Sequence, residues 1–91
     1  KVLKDADWKM MEEHLLRAYP TFKEHLFALY PLSDNEYRIC MLIKMEVSPS
    51  NIAKMMALSN SAVSQNRLRM QQKVFDGKGT AKDWDNFVLS L

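Results

Sequence analysis

The sequence contains few residues that interrupt helices: its 91 residues include only two glycines and three prolines. Residues with high helix propensity, such as Leu, Met, Ala, Lys and Glu, are well represented. No stretch shows the two-residue alternation of a β-strand, and no repeat or low-complexity tract is present. We therefore predict an all-α fold, a compact helical bundle close to the lower size limit for one unassisted hydrophobic core.

Cysteine is almost absent, and the lone Cys40 excludes an internal disulfide. This usage is typical of a reducing compartment and predicts a cytoplasmic location. Cys40 lies in the apolar stretch YRICMLIKM, which predicts a buried, inert thiol. The longest apolar run, ICMLI, is too short to span a bilayer, so we expect no membrane contact from this chain. The sequence starts at a lysine without a preceding Met, and we expect it to be a fragment of a longer protein.

Residue clusters that carry enzyme chemistry are also lacking. His14 and His25 fall on different predicted helices without a neighbouring metal ligand. No glycine-rich phosphate loop occurs, and the paired acids near positions 12 and 84 have no nucleophile beside them. We therefore predict that the chain is not an enzyme, binds no metal and needs no cofactor.

Six helices are predicted from apolar spacing and cap signals, over about 6–19, 22–29, 34–45, 49–57, 60–75 and 81–91. The expected N-caps are Asp5 or Asp7, Thr21, Ser33, Ser48, Ser59 and Thr80, with Glu24 and Glu36 completing two capping boxes. We expect residues 1–31 to be a helical lead-in that packs on residues 32–91, all within one structural domain.

Acidic residues are missing from one segment, although the net charge of the whole chain is only +2. Residues 47–75 contain four basic residues and no Asp or Glu. A phosphate backbone repels carboxylates, so this segment is a candidate for binding an anionic partner. Four charges on a helical surface can also serve solubility alone.

The same segment has the spacing of a helix-turn-helix, with two short helices separated by a three-residue turn. Ala53 is small where the helices approach each other, Leu58 fills the space between them, and Val63 anchors the second helix. An alanine and a valine ten residues apart also occur by chance in ordinary helical hairpins, and both interpretations stay open here.

A helical wheel separates the second helix into two faces. Val63, Met70 and Val74 form the inner stripe, with Arg67 at its edge. The residues that we predict to contact base edges lie on the opposite face, and they are Ser61, Ser64, Gln65, Leu68 and Arg69. Contacts to phosphates are predicted for Lys54, Asn60, Gln72 and Lys73.

The stretch LSDNEYRICMLIKMEVSPSNIAKMMALSNSAVSQNRLRMQQKVF resembles the DNA-binding domain of LuxR/NarL-type transcription regulators, in the form found at the C-termini of Bacteroidetes regulators. The matching positions are Leu32-Ser33, Glu36, Ile52-Ala53, Leu58-Ser59, Ala62-Val63 and Lys73-Val74. Region 4 of sigma factors is similar as well. The resemblance covers about half the chain.

This resemblance implies a transcription regulator whose recognition helix, about 60–75, enters the major groove of double-stranded DNA. It also implies a homodimer, a sensor domain N-terminal to this segment in the parent chain, and a structural ion pair between Glu36 and Arg67. Two departures matter. Glu46 stands where the family usually has glycine, which costs about 1 kcal/mol if a left-handed turn is kept. Ser64 stands where the family is commonly basic.

An alternative class is a protein–protein interaction module that binds a partner helix through a methionine-rich surface. The chain has seven methionines, at positions 10, 11, 41, 45, 55, 56 and 70. Such residues also fill irregular cores. The last helix, with Trp84, Phe87 and Leu91 on one face, is a candidate dimer seam.

Overall fold

The computed structural model describes residues 2–91, and these residues form six helices. The helices are α1 (Asp5–Ala18), α2 (Phe22–Phe27), α3 (Asp34–Lys44), α4 (Pro49–Met56), α5 (Asn60–Val74) and α6 (Ala81–Leu89). The predicted all-α class is confirmed, since the described residues include no strand. The Cα radius of gyration is 12.4 Å, close to the about 12 Å expected for a compact chain of this length. None of the helices in residues 2–91 is long and apolar enough to cross a membrane.

Most helix starts follow the cap signals in the sequence. Ser33 accepts a hydrogen bond from the amide of Glu36 at 3.1 Å, and the Glu36 carboxylate accepts one from the amide of Ser33 at 2.8 Å. Ser48 caps α4, with Pro49 in the first turn where its missing N–H leaves no gap. Ser59 caps α5 by accepting from the amide of Ala62 at 3.0 Å. These side chains satisfy backbone donors that a helix start would otherwise leave unpaired.

Two predicted caps differ in the structure. The N-cap of α1 is Lys4 rather than Asp5 or Asp7, and Asp7 accepts a hydrogen bond from the amide of Lys4 at 3.0 Å. Thr21 precedes α2, but its hydroxyl makes no cap hydrogen bond, so the predicted capping box with Glu24 is wrong. Thr21 has a ψ of 4° instead of the extended ψ of the other caps, which explains why its side chain misses the helix amides.

The core is centred on α3, which is buried nearly all round. Ile39, Cys40 and Leu42 are fully buried, and Trp84 of α6 is equally enclosed. Phe22 and Leu26 of α2 belong to the same core as these residues. Side chains from the lead-in and from residues 32–91 therefore share one apolar interior.

One buried lysine joins three helices. Lys44, at the end of α3, is only 8% exposed. Its Nζ donates hydrogen bonds to the carbonyl oxygens of Leu89 at 2.9 Å and Leu91 at 2.5 Å. The same ammonium lies 4.2 Å from the ring centroid of Tyr19, beyond the end of α1. A cation at the C-terminal end of α6 is favoured because the last carbonyls of a helix carry partial negative charge.

Two turns in the α3–α5 region use left-handed backbone without glycine. Glu46 has φ 63° and Ala57 has φ 55°. The left-handed turn expected at position 46 is thus kept, with a glutamate in a conformation that disfavours a Cβ. Ala57 ends α4 in the same conformation and starts the three-residue connection to α5.

Candidate nucleic-acid interface

Helices α4 and α5 are held together by apolar residues at the predicted positions. Ile52 and Val63 are fully buried, and Ala53 is 4% exposed. Leu58 is half-buried against the core, and its amide donates to the carbonyl oxygen of Ala53 at 2.9 Å. The connection is short and its backbone is hydrogen-bonded, so the N-terminal turn of α5 has a fixed place relative to α4.

The outer face of α5 presents the predicted base-reading residues to solvent. Ser61, Ser64, Gln65 and Arg69 are exposed. Leu68 is half-buried, but it does not belong to the half-buried apolar side chains that pack on the core. Within residues 2–91, the Gln65 and Arg69 side chains form no hydrogen bond or ion pair. Their donors and acceptors are therefore available to an outside partner.

The predicted phosphate-contacting residues differ in their surroundings. Lys54, Asn60 and Gln72 are exposed. Lys73 is also accessible, with 53% of its side chain exposed, but its Nζ lies 3.8 Å from a Glu36 carboxylate oxygen. The same Nζ lies 4.9 Å from the ring centroid of Tyr30. A phosphate would have to compete with these two contacts for Lys73.

The prediction that Arg67 pairs with Glu36 is wrong. Arg67 is buried and forms a two-pronged pair with Asp85 of α6 instead of Glu36. Its Nε donates to Asp85 Oδ1 at 2.8 Å, and its Nη2 donates to Asp85 Oδ2. Since α6 packs along α5, the carboxylate of Asp85 reaches the edge of the inner stripe where the guanidinium emerges. Arg67 is therefore held in the interior, and its guanidinium is not presented on the outer face of α5.

Glu36 has a different set of partners. Besides capping α3, its carboxylate accepts a hydrogen bond from the Tyr30 hydroxyl at 3.0 Å. Burial raises the pKa of Tyr30, and the neighbouring Glu36 raises it further, so the phenol stays a donor. Glu36 therefore connects the end of the lead-in to α3.

Gln71 is a structural residue that the sequence interpretation missed. It is 6% exposed, and its Nε2 donates to the carbonyl oxygen of Lys78 at 3.2 Å. Gly79 has φ +98°, and a Cβ there would lie 2.3 Å from Gln71 Nε2. Gln71 thus braces the turn between α5 and α6. Its burial could have been inferred from its position one helical turn beyond Arg67, on the side of α5 that α6 covers.

Cys40 is enclosed among apolar side chains. Its Sγ lies 3.7 Å from Met70 Sδ, and burial raises the pKa of the thiol to about 12. Within residues 2–91, no group of three or more His, Cys, Asp or Glu residues is placed to hold a metal ion.

Most methionines lie in or against the core. Met41 and Met70 are buried, and Met11, Met55 and Met56 pack on the core while half-buried. Met10 and Met45 are exposed, on α1 and just beyond α3 respectively. Trp84 is fully buried and unavailable to a dimer seam in this conformation, whereas Phe87 and Leu91 remain half-exposed.

Comparisons of the chain with known proteins found no relative. No protein-family model matches the chain, and neither a curated protein nor a solved structure matches it. The resemblance to LuxR/NarL-type domains stays a prediction carried by the residues quoted above.

Proposed function

We propose that α4, the connection 57–59 and α5 form a helix-turn-helix that binds double-stranded DNA, with α5 in the major groove. The observation that carries this proposal is the outer face of α5. It exposes amide, hydroxyl and guanidinium groups on a segment without carboxylates, and these are the groups that contact base edges and phosphates.

The internal contacts of α5 support the same division of roles. Arg67 is hydrogen-bonded to Asp85 of α6, and Gln71 to the carbonyl oxygen of Lys78 in the turn before α6. These bonds fix the buried side of α5. Gln65 and Arg69 lie on the opposite side of α5, where their side chains are exposed and make no hydrogen bond or ion pair within residues 2–91. A helix with one immobilised face and one open polar face suits insertion into a groove.

The positive charge available for phosphates is modest. With Arg67 neutralised by Asp85, the cations of the 47–75 segment that remain accessible are Lys54, Arg69 and Lys73. Each neutralised phosphate contributes about −0.9 to the slope of log K against log salt concentration, so contacts by Lys54 and Lys73 give a slope of about −1.8, and a further phosphate neutralised by Arg69 would bring it to about −2.7. We therefore expect weak, salt-sensitive binding by one copy, and tighter binding if two copies occupy paired half-sites.

Fluorescence anisotropy on mixed-sequence duplex DNA over a salt series tests the proposal. We expect a slope between about −2 and −3, reduced by about 0.9 in Lys54→Gln. Arg17→Gln removes an exposed charge from α1 and is the matched control, which should leave the slope unchanged. Absence of binding at low salt, with helicity intact by circular dichroism, would contradict DNA binding and favour the protein–protein alternative.

A further inference from the structure

We infer that α5 specifies two base pairs about two steps apart, an adenine through Gln65 and a guanine through Arg69. This inference rests on the proposed function and names the part of the DNA that the proposed interface selects.

The spacing follows from helix geometry. Gln65 and Arg69 are four residues apart, so they lie about 40° from each other around the helix and about 6 Å apart along its axis. Base pairs in a duplex are separated by about 3.4 Å along each strand. A helix lying along the groove therefore places these two side chains opposite positions about two base pairs apart.

The chemistry of each side chain sets the preferred base. A glutamine amide can donate to and accept from adenine N6 and N7, and an arginine guanidinium can donate twice to guanine O6 and N7. Both side chains are exposed and without intramolecular partners in the described part of the chain. Arg67, the other guanidinium of α5, is excluded because it is buried and donates two hydrogen bonds to Asp85.

Leu68 completes this arrangement. It is half-buried on the outer side of α5, yet outside the set of side chains that pack on the core. Along the axis it lies between Gln65 and Arg69. An apolar group at that place fits the C5-methyl group of a thymine.

Selection of bound duplexes from a random library tests the inference. We expect the wild-type chain to enrich an adenine and a guanine separated by one base pair. Replacing either base pair in the selected duplex should weaken binding by about 5- to 140-fold. Gln65→Ala should abolish discrimination at the adenine alone, and Arg69→Ala at the guanine alone.

Two further variants separate base reading from charge. Arg69→Lys keeps the positive charge but replaces the rigid planar guanidinium with a flexible ammonium, so it should weaken the guanine preference and keep the salt slope. Arg17→Ala should keep both preferences. If Arg69→Ala retains the guanine preference, or if Gln65→Ala and Arg69→Ala weaken all duplexes equally, the inference is wrong. Wild-type binding to all duplexes alike would overturn the inference and leave DNA binding intact, whereas no binding to any duplex would overturn the proposed function.

Discussion

Removal of the Asp85 carboxylate would leave Arg67 as an unpaired charge between α5 and α6. The two side chains are 8% and 15% exposed, and the guanidinium makes two hydrogen bonds to the carboxylate. Breaking a buried pair by deleting one partner costs about 3–5 kcal/mol, because the remaining charge loses its compensation. A domain of this size has a total stability of about 5–14 kcal/mol. Asp85→Ala is therefore expected to remove a large part of the free energy of unfolding.

Urea denaturation and thermal melts, both followed by circular dichroism, measure this loss. For a domain of 60–100 residues, each 1 kcal/mol corresponds to a shift in melting temperature of about 4–8 °C, so a shift of at least about 12 °C is expected. Glu13→Ala is the matched control, since Glu13 is an exposed carboxylate of α1. It removes a charge that does not pair with Arg67, and it should cost less than about 1 kcal/mol.

The double variant Arg67→Met/Asp85→Leu separates the cost of a broken pair from the worth of the intact one. Replacing both partners by apolar groups is often neutral or stabilising. We expect the double variant to be more stable than Asp85→Ala alone. A loss below 1 kcal/mol in Asp85→Ala, or an equal loss in Glu13→Ala, would refute the assignment of Asp85 as the partner of Arg67.

Three further predictions concern the turns and the thiol. Glu46 has φ 63°, and Glu46→Gly removes the Cβ that strains this left-handed conformation. The free energy of unfolding in chemical denaturation should rise by about 0.5–1 kcal/mol, and a decrease would show that Glu46 is not strained. Gly79→Ala should destabilise the fold more than Gly77→Ala in thermal melts, because a Cβ at 79 meets Gln71 Nε2 at 2.3 Å while a Cβ at 77 meets nothing within 4 Å. Cys40, with its pKa raised to about 12 by burial, should resist alkylation at pH 8 in buffer and react in denaturant, as measured by mass spectrometry; rapid labelling of the native protein would contradict its enclosure.

Local signals in the sequence predicted much of the helical framework. Caps such as Ser33, Ser48 and Ser59 act within three residues of themselves, so their roles depend little on the rest of the fold. The inner stripe of α5 was also predicted, because Val63 and Met70 follow the helical period and are fully buried. Thr21 shows the limit of such signals, since its cap depends on a backbone angle that the sequence pattern does not determine.

Partners distant along the chain could not be predicted in the same way. Asp85 lies 18 residues beyond Arg67, and the pair depends on how α6 returns along α5. Lys44 reaches carbonyls 45 and 47 residues away, which no periodicity encodes. The burial of Gln71 likewise depends on the path of the turn after α5. For the candidate interface, the exposure of Gln65 and Arg69 followed from the wheel, whereas the exclusion of Arg67 needed the position of α6.

The pair between Arg67 and Asp85 also sets the angle of α5 about its own axis. Apolar contacts tolerate small rotations, but a two-pronged hydrogen bond is directional and resists them. With side-chain tips about 5–6 Å from the helix axis, a rotation of 20° would move them by about 2 Å. That displacement exceeds the tolerance of a hydrogen bond to a base edge. Asp85 thus restricts rotation of α5 and so helps to determine where the side chains of its outer face lie, although Asp85 is on a different helix and faces the interior.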